Sequence, residues 1–220
     1  MDNFAPENAK VVAEQKELDD LVHALGEDRL FLHKPCMEGT CTTILQEIEN
    51  KIKSVNSHNA IWVRGSPGVG KSALAASIAA QLWEQDRHVI SFHFNRTQSA
   101  TITTDALWCV VTLGLACLYP SVHQHILNEV QNDKMPNPSN IDSRFKSLIE
   151  TPLSMLNDVL YKKLPVIVID ALDEYGDLRH DSSRKDNHKG LLHMLNHWIY
   201  IDDLRRFKLV ITSRYDEFIQ

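Results

Sequence analysis

"NAIWVRGSPGVGKSALAASIAAQLW", residues 59–83, joins three unlike pieces. The apolar run around Ile61, Trp62 and Val63 reads as a short strand, and from Lys71 onward Leu74, Ile78 and Leu82 recur at helical spacing. Between them "GSPGVGKS", Gly65 to Ser72, fits G-x-x-x-x-G-K-[ST] in the context that pattern needs, strand before and helix after. The glycines Gly65, Gly68 and Gly70 permit tight or left-handed backbone, so the loop that also contains Ser66, Pro67 and Val69 can turn its N–H groups toward a β-phosphate. The helix N-terminus adds its positive end. Lys71 supplies a mobile cation for the β- and γ-phosphates, and Ser72 a hydroxyl for Mg²⁺. A plain strand-to-helix turn has no use for glycine, lysine and serine together in that order.

Working outward, "HVISFHFN" reads as a second strand, which completes a strand–helix–strand unit. "TTDALWCVVTLGLACLYP" is predicted as an apolar helix ended by Pro120, followed by a helix over Ser121 to Val130 and a surface loop at "NDKMPNPSN". Helical patterning returns from Arg144 to Tyr161 with an interruption near Pro152, then comes the strand "PVIVID", the polar stretch Tyr175 to Gly190, the helix "LLHMLNHWIYI" and the strand "FKLVITSR". Strands apolar at successive positions are expected where helices cover both sheet faces. The fold predicted is therefore α/β, three layers around a mostly parallel central sheet. Ahead of it, Val11, Val12, Leu18, Leu21, Val22 and Leu25 mark an amphipathic N-terminal helix, and Ile44, Leu45, Ile48 and Ile52 mark another that Thr40 or Thr42 is expected to cap.

A Mg²⁺ on a phosphate needs a carboxylate at the C-terminal edge of a strand near the loop, where doubly wound sheets place their ligands. Asp170, closing Val166 to Ile169, fits that place. The next residue, often a water-orienting glutamate in simple nucleotide hydrolases, is Ala171, expected to leave room for the metal and its waters. The acid work then falls to Asp173 and Glu174. Glu174 is assigned to polarise the attacking water, with Asp173 supporting the metal shell or acting as the base itself. Asp177 is read as a solvated loop charge. Arg214, at the end of the last strand, could hold phosphate oxygens through two parallel hydrogen bonds; Arg96, in a similar position, is read as structural.

"GSPGVGKS", "VIVIDALDEY", "LVITSRYDE" and the C-x-x-G-T of Cys36 to Thr40 together resemble the NACHT class of STAND P-loop NTPases, in particular its fungal NLR-like and nephrocystin-like versions. The resemblance implies that Asp170, Ala171, Leu172, Asp173 and Glu174 form the Walker B pattern and that Arg214 is a sensor reading the γ-phosphate. It also implies assembly, with copies of itself or with a partner protein, when nucleotide is bound. It divides the chain into an N-terminal helix and linker, 1–35, and a NACHT-like P-loop NTPase domain, 36–220. Six residues follow Arg214, so the domain is expected to be incomplete before its last core strand.

The function expected is Mg²⁺-dependent binding of a nucleoside triphosphate, ATP or GTP, with slow hydrolysis, as a signalling and assembly switch. A P-loop small-molecule kinase, with Tyr175 to Gly190 as its lid, and an interaction module that binds nucleotide without turnover are the alternatives. A Ras-type GTPase is disfavoured, because no glycine stands in a D-x-x-G arrangement after Asp170 and no N-K-x-D is present. The net charge of −6 and pI near 6.0 give no basic face for nucleic acid. No apolar run reaches a membrane span and no secretory signal opens the chain, so a cytoplasmic location is expected. Cys36, Cys41, Cys109 and Cys117 then read as reduced thiols, with Cys109 and Cys117 buried. His193 and His197, spaced i, i+4 without a third ligand, make a weak zinc pair, and the four tryptophans read as core or half-buried packing residues.

Overall fold

The computed structural model describes residues 34–95, 104–132, 134–137, 140–175, 191–199 and 206–215. The expected N-terminal helix, Arg96, Asp177 and the polar stretch beyond Tyr175 lie outside them. Four strands form one parallel sheet, β1 (Ala60–Arg64), β2 (Val89–His93), β3 (Val166–Asp170) and β4 (Lys208–Ser213), in the order β1-β4-β3-β2. β3 and β4 sit in the middle, and every residue of each is buried; β2 alternates between buried and half-exposed, and in β1 only Ile61 is buried and Arg64 is exposed. Burial on both faces suits the central runs Val166 to Ile169 and Leu209 to Ile211, apolar at successive positions, whereas β2 interposes Ser91 and β1 ends on Arg64.

Successive side chains of a strand point to opposite faces, and the two faces collect different partners. Val166, Val168, Val210 and Ile61 meet α1 (Thr42–Lys53) and α2 (Lys71–Glu84) through Leu45, Ile48, Ile52, Leu74, Ile78 and Leu82. Ile167, Ile169, Leu209 and Ile211 face the larger core, built by α3 (Thr104–Leu118), α4 (Pro120–Gln131), the segment 141–154 and the helix at 191–199. These are the three layers. α3 lies close against the sheet at Gly114, where a Cβ would come within 2.8 Å of the Ile90 side chain. Trp108 and Trp198 fill the centre of the larger core with their rings 5.7 Å apart and edge to face, against Phe145.

Several local expectations are corrected. α1 starts from Cys41 in left-handed backbone with no side-chain cap; Thr40 instead turns its hydroxyl to the Met37 carbonyl. Trp83 projects from the last turn of α2 with 64% of its surface exposed, and Cys117 lies on the outer side of α3, because helical rotation carries both away from the core their neighbours face. Cys109 is mostly covered, and burial pushes its thiol up to about 11.

The interruption expected at Pro152 is a π-helical turn, Lys146–Glu150, between α5 (Ile141–Phe145) and α6 (Thr151–Ser154), with the proline itself in the first turn of α6. Pro152 has no N–H, so the Leu148 carbonyl four residues earlier cannot receive the usual helical bond. The Thr112 hydroxyl on α3 takes that role, 2.6 Å from the Leu148 oxygen in a fully buried contact. Thr112→Val should therefore destabilise the fold by about 1–3 kcal/mol, the cost of a buried acceptor left without a donor. Urea unfolding reads this directly, and an unchanged midpoint would contradict it.

Candidate functional site

Because all four strands run the same way, their C-terminal ends share one edge of the sheet. There β1 gives way to the glycine-rich loop, β2 ends at His93, β3 at Asp170, and β4 at Ser213 followed by Arg214. Gly68 and Gly70 take φ of +78° and +88°, backbone that L side chains seldom adopt, and Gly70 hands the chain into α2 as its N-cap. The Gly65 N–H donates to the Ser213 carbonyl at 3.2 Å, which ties the start of the loop to the end of β4. Lys71 curls over the loop, its Nζ donating to the carbonyls of Gly65 and Ser66, each at 2.9 Å. Val69 stands out on the loop's crest, 60% exposed.

Asp170 is the point where these elements meet. Its Oδ2 lies 2.7 Å from His93 Nδ1, its Oδ1 accepts from the Thr212 hydroxyl, and the Ser72 hydroxyl lies near the same carboxylate. Burial pushes this carboxyl up, but the hydrogen bonds from His93 and Thr212, helped by the nearby Ser72 hydroxyl, outweigh burial and hold it below the ordinary carboxylate range. The side chain is 7% exposed yet charged at neutral pH.

The residue after it turns sharply. Ala171 has φ 56° and ψ 44°, and its N–H donates to the Thr212 hydroxyl oxygen at 3.0 Å. Left-handed backbone costs a residue with a Cβ about 1–2 kcal/mol, least when nothing bulky is attached. The alanine thus serves the turn as well as lining the cleft. The turn drives Leu172 fully into the core and sends Asp173 and Glu174 toward Arg214.

Asp173 is almost wholly enclosed. Its Oδ1 accepts the backbone N–H of Arg214 at 2.9 Å, and its Oδ2 lies 3.0 Å from Arg214 Nε as an ion pair rather than an aligned hydrogen bond. Glu174 is more open, with Oε1 3.7 Å from Arg214 Nη2. Gly68, Lys71, Ser72, Asp173, Glu174 and Arg214 line a single open cleft of about 260 Å³, to which Pro67 and Thr212 also contribute. Every described residue singled out from the sequence for phosphate, metal or acid–base work is in this cleft, in the loop that walls it, or bonded to it.

Two members were not singled out, His93 and Thr212. Each carries a polar group in an otherwise apolar strand at the edge where the ligand loop lies, and that was the available signal: "SFHF" and "VITS". The Ser72 hydroxyl lines the cleft, and the Asp170 carboxylate lies behind it on Thr212; a hydroxyl and a carboxylate are oxygen ligands of the kind that suit Mg²⁺. His193 and His197 are exposed on the helix at 191–199, away from this edge. Cys36 and Cys41 are free thiols whose sulfurs lie 3.2 Å apart at the start of α1.

The fold and the loop define a P-loop NTPase domain. More narrowly, the chain belongs to the family described as Nephrocystin 3, N-terminal, whose model matches residues 39–214. No curated protein matches the sequence. Among solved structures, C. elegans PCH-2 is 11% identical, with a TM-score of 0.41 over 81% of this chain and 38% of that one. Drosophila ORC bound to DNA is 14% identical, TM-score 0.41, over 92% of this chain and 44% of that one. The pCW3 conjugation coupling protein TcpA with ATPγS is 16% identical, TM-score 0.36, over 72% and 43%. The chain spans less than half the length of each of these.

The lowered pKa of Asp170 has a pH signature. A carboxyl held lower in the folded than in the unfolded state stabilises the fold above the unfolded value, about 3.9, and that contribution is lost as pH falls through the folded value. Asp170→Asn should therefore be less stable than the parent at pH 7, with a deficit that shrinks progressively as pH falls below about 3.9. Thermal melts of both proteins across this range measure it, and a deficit that did not change with pH would contradict the assignment.

Proposed function

We propose that this chain binds a nucleoside triphosphate, ATP or GTP, with Mg²⁺ in the cleft between the loop 65–72 and the ends of β3 and β4, and hydrolyses it slowly. One observation carries the reading: Thr212, whose hydroxyl donates to the buried Asp170 carboxylate, lines the same cleft as Lys71 and Ser72 of the loop, which supports a single site for phosphate cradle and metal-binding carboxylate. Ser72 and Asp170 would hold the Mg²⁺, which when bound neutralises phosphate charge and polarises the phosphoryl group. The loop N–H groups and the start of α2 receive the phosphates. Lys71, which now satisfies two loop carbonyls, exchanges them for β- and γ-phosphate oxygens.

Glu174, the more open acid of the pair, takes the proton of the attacking water, and Asp173 holds Arg214 at the mouth of the cleft. The guanidinium must release part of its pairing with Asp173 and Glu174 before it can contact a γ-phosphate. That exchange is a reason for slow turnover, and it suits a switch in which the bound state, rather than the rate, carries the signal. Membership in the nephrocystin-type family supports the switch reading, as does the D-A-L-D-E pattern of residues 170–174. On this reading the bound state assembles, with further copies or with a partner protein, in the manner of NACHT and STAND proteins.

Lys71→Ala should weaken nucleotide binding roughly tenfold to a hundredfold, the worth of a hydrogen-bonded charge at about 1.5–3 kcal/mol, and leave the fold intact. Glu174→Gln should bind as the parent does and release no phosphate. Titration with fluorescent ATP and GTP analogues and a phosphate-release assay make the test. Unchanged affinity in the lysine variant would sink the nucleotide reading, and undiminished turnover in the glutamine variant would remove Glu174 as base.

A further inference from the structure

We infer that His93 is the positioning residue of the metal site: it fixes the plane and rotamer of the Asp170 carboxylate so that an oxygen is presented to Mg²⁺ beside Ser72. This inference rests on the reading of the cleft as a Mg²⁺–nucleotide site. It concerns a residue that lies outside the phosphate loop, the acidic turn and the strand-end arginine.

The parallel register of β2 and β3 places His93 directly beside Asp170. Both side chains are enclosed, 12% and 7% exposed, and the Nδ1–Oδ2 separation is 2.7 Å. A carboxylate can only accept, so the proton on that contact belongs to Nδ1. On the other side, β4 supplies the Thr212 hydroxyl to Oδ1. Asp170 is thus held between donors from both neighbouring strands, one on each oxygen, and cannot rotate about its Cβ–Cγ bond without losing one of them.

The count of acceptor sites says what this accomplishes. An ionised carboxylate has about four lone-pair directions. His93 and Thr212 use two, one on each oxygen, so the directions left are fixed by the two flanking strands. Without His93 the Oδ2 side is released and the carboxylate is held by Thr212 alone. A metal that demands near-ideal octahedral geometry is sensitive to that loss, whereas the contacts of nucleotide with the loop amides and Lys71 are not.

The chemistry of the side chain makes the test specific. An asparagine amide nitrogen occupies the place of Nδ1 relative to the backbone, a glutamine nitrogen lies one methylene further out, and leucine fills similar volume without a donor. We expect the parent and His93→Asn to bind a fluorescent ATP analogue with the same Mg²⁺ midpoint, and His93→Gln and His93→Leu to need about tenfold more Mg²⁺, the loss expected for a hydrogen bond to a charged group. All four should bind the analogue equally in EDTA. Because His93→Asn and His93→Gln differ only in where the donor sits, their comparison stands even if the leucine variant does not fold.

Equal Mg²⁺ midpoints across the variants would overturn the inference while leaving the nucleotide reading in place. So would an affinity loss of the same size in EDTA as in Mg²⁺, which marks a general structural role. A parent protein that binds the analogue identically with and without Mg²⁺ refutes the metal-site reading itself, and this inference with it.

Discussion

The carboxylate of Asp170 is held by two separately encoded parts of the chain at once. His93 comes from the end of β2 and Thr212 from the end of β4, while Ser72 approaches from the loop after β1. A buried carboxylate without donors would take up a proton rather than stay charged. Its ionisation therefore depends on the whole sheet being assembled in the correct order, with β3 between β2 and β4. The same hydroxyl of Thr212 that bonds Asp170 also receives the Ala171 N–H, so the support of the charge and the left-handed turn that follows share one side chain.

That turn links the core to the cleft. Leu172 anchors it at zero exposure, and the next two residues deliver Asp173 and Glu174 to Arg214. Arg214 is thereby positioned twice, by its backbone N–H on Asp173 Oδ1 and by its side chain between two acids. An arginine held this way keeps its orientation at modest cost but has to trade one partner for another to meet a phosphate. The geometry pairs a carboxylate fixed between two strands with an arginine whose partners can exchange.

Much of this was legible in the sequence. The phosphate loop is a local pattern, and its glycines, Lys71 and Ser72 fall where a strand-to-helix turn needs them. The continuous apolar runs of β3 and β4 announced central strands covered on both faces, and Asp170 at the end of one of them announced a ligand edge. His93 and Thr212 were less legible, because their role arises from lateral strand order and register, which no local window contains. Ala171 was read as space when it is also conformation, since positive φ at a non-glycine residue leaves no mark in sequence. The π-turn before Pro152 escaped for a related reason: its remedy, Thr112, lies on another helix. Trp83 and Cys117 were misplaced because a residue's side of a helix is set by a rotation of 100° per position, and both stand one step outside the buried stripe.

The central claim is that loop, metal-binding acid and strand-end arginine act as one nucleotide site. Hydrogen–deuterium exchange of the full chain, with and without a saturating non-hydrolysable nucleoside triphosphate and Mg²⁺, addresses it most directly. The account predicts protection together at residues 65–72, 170–174 and 212–214. Protection of the loop alone, or no change in any of the three, would contradict it.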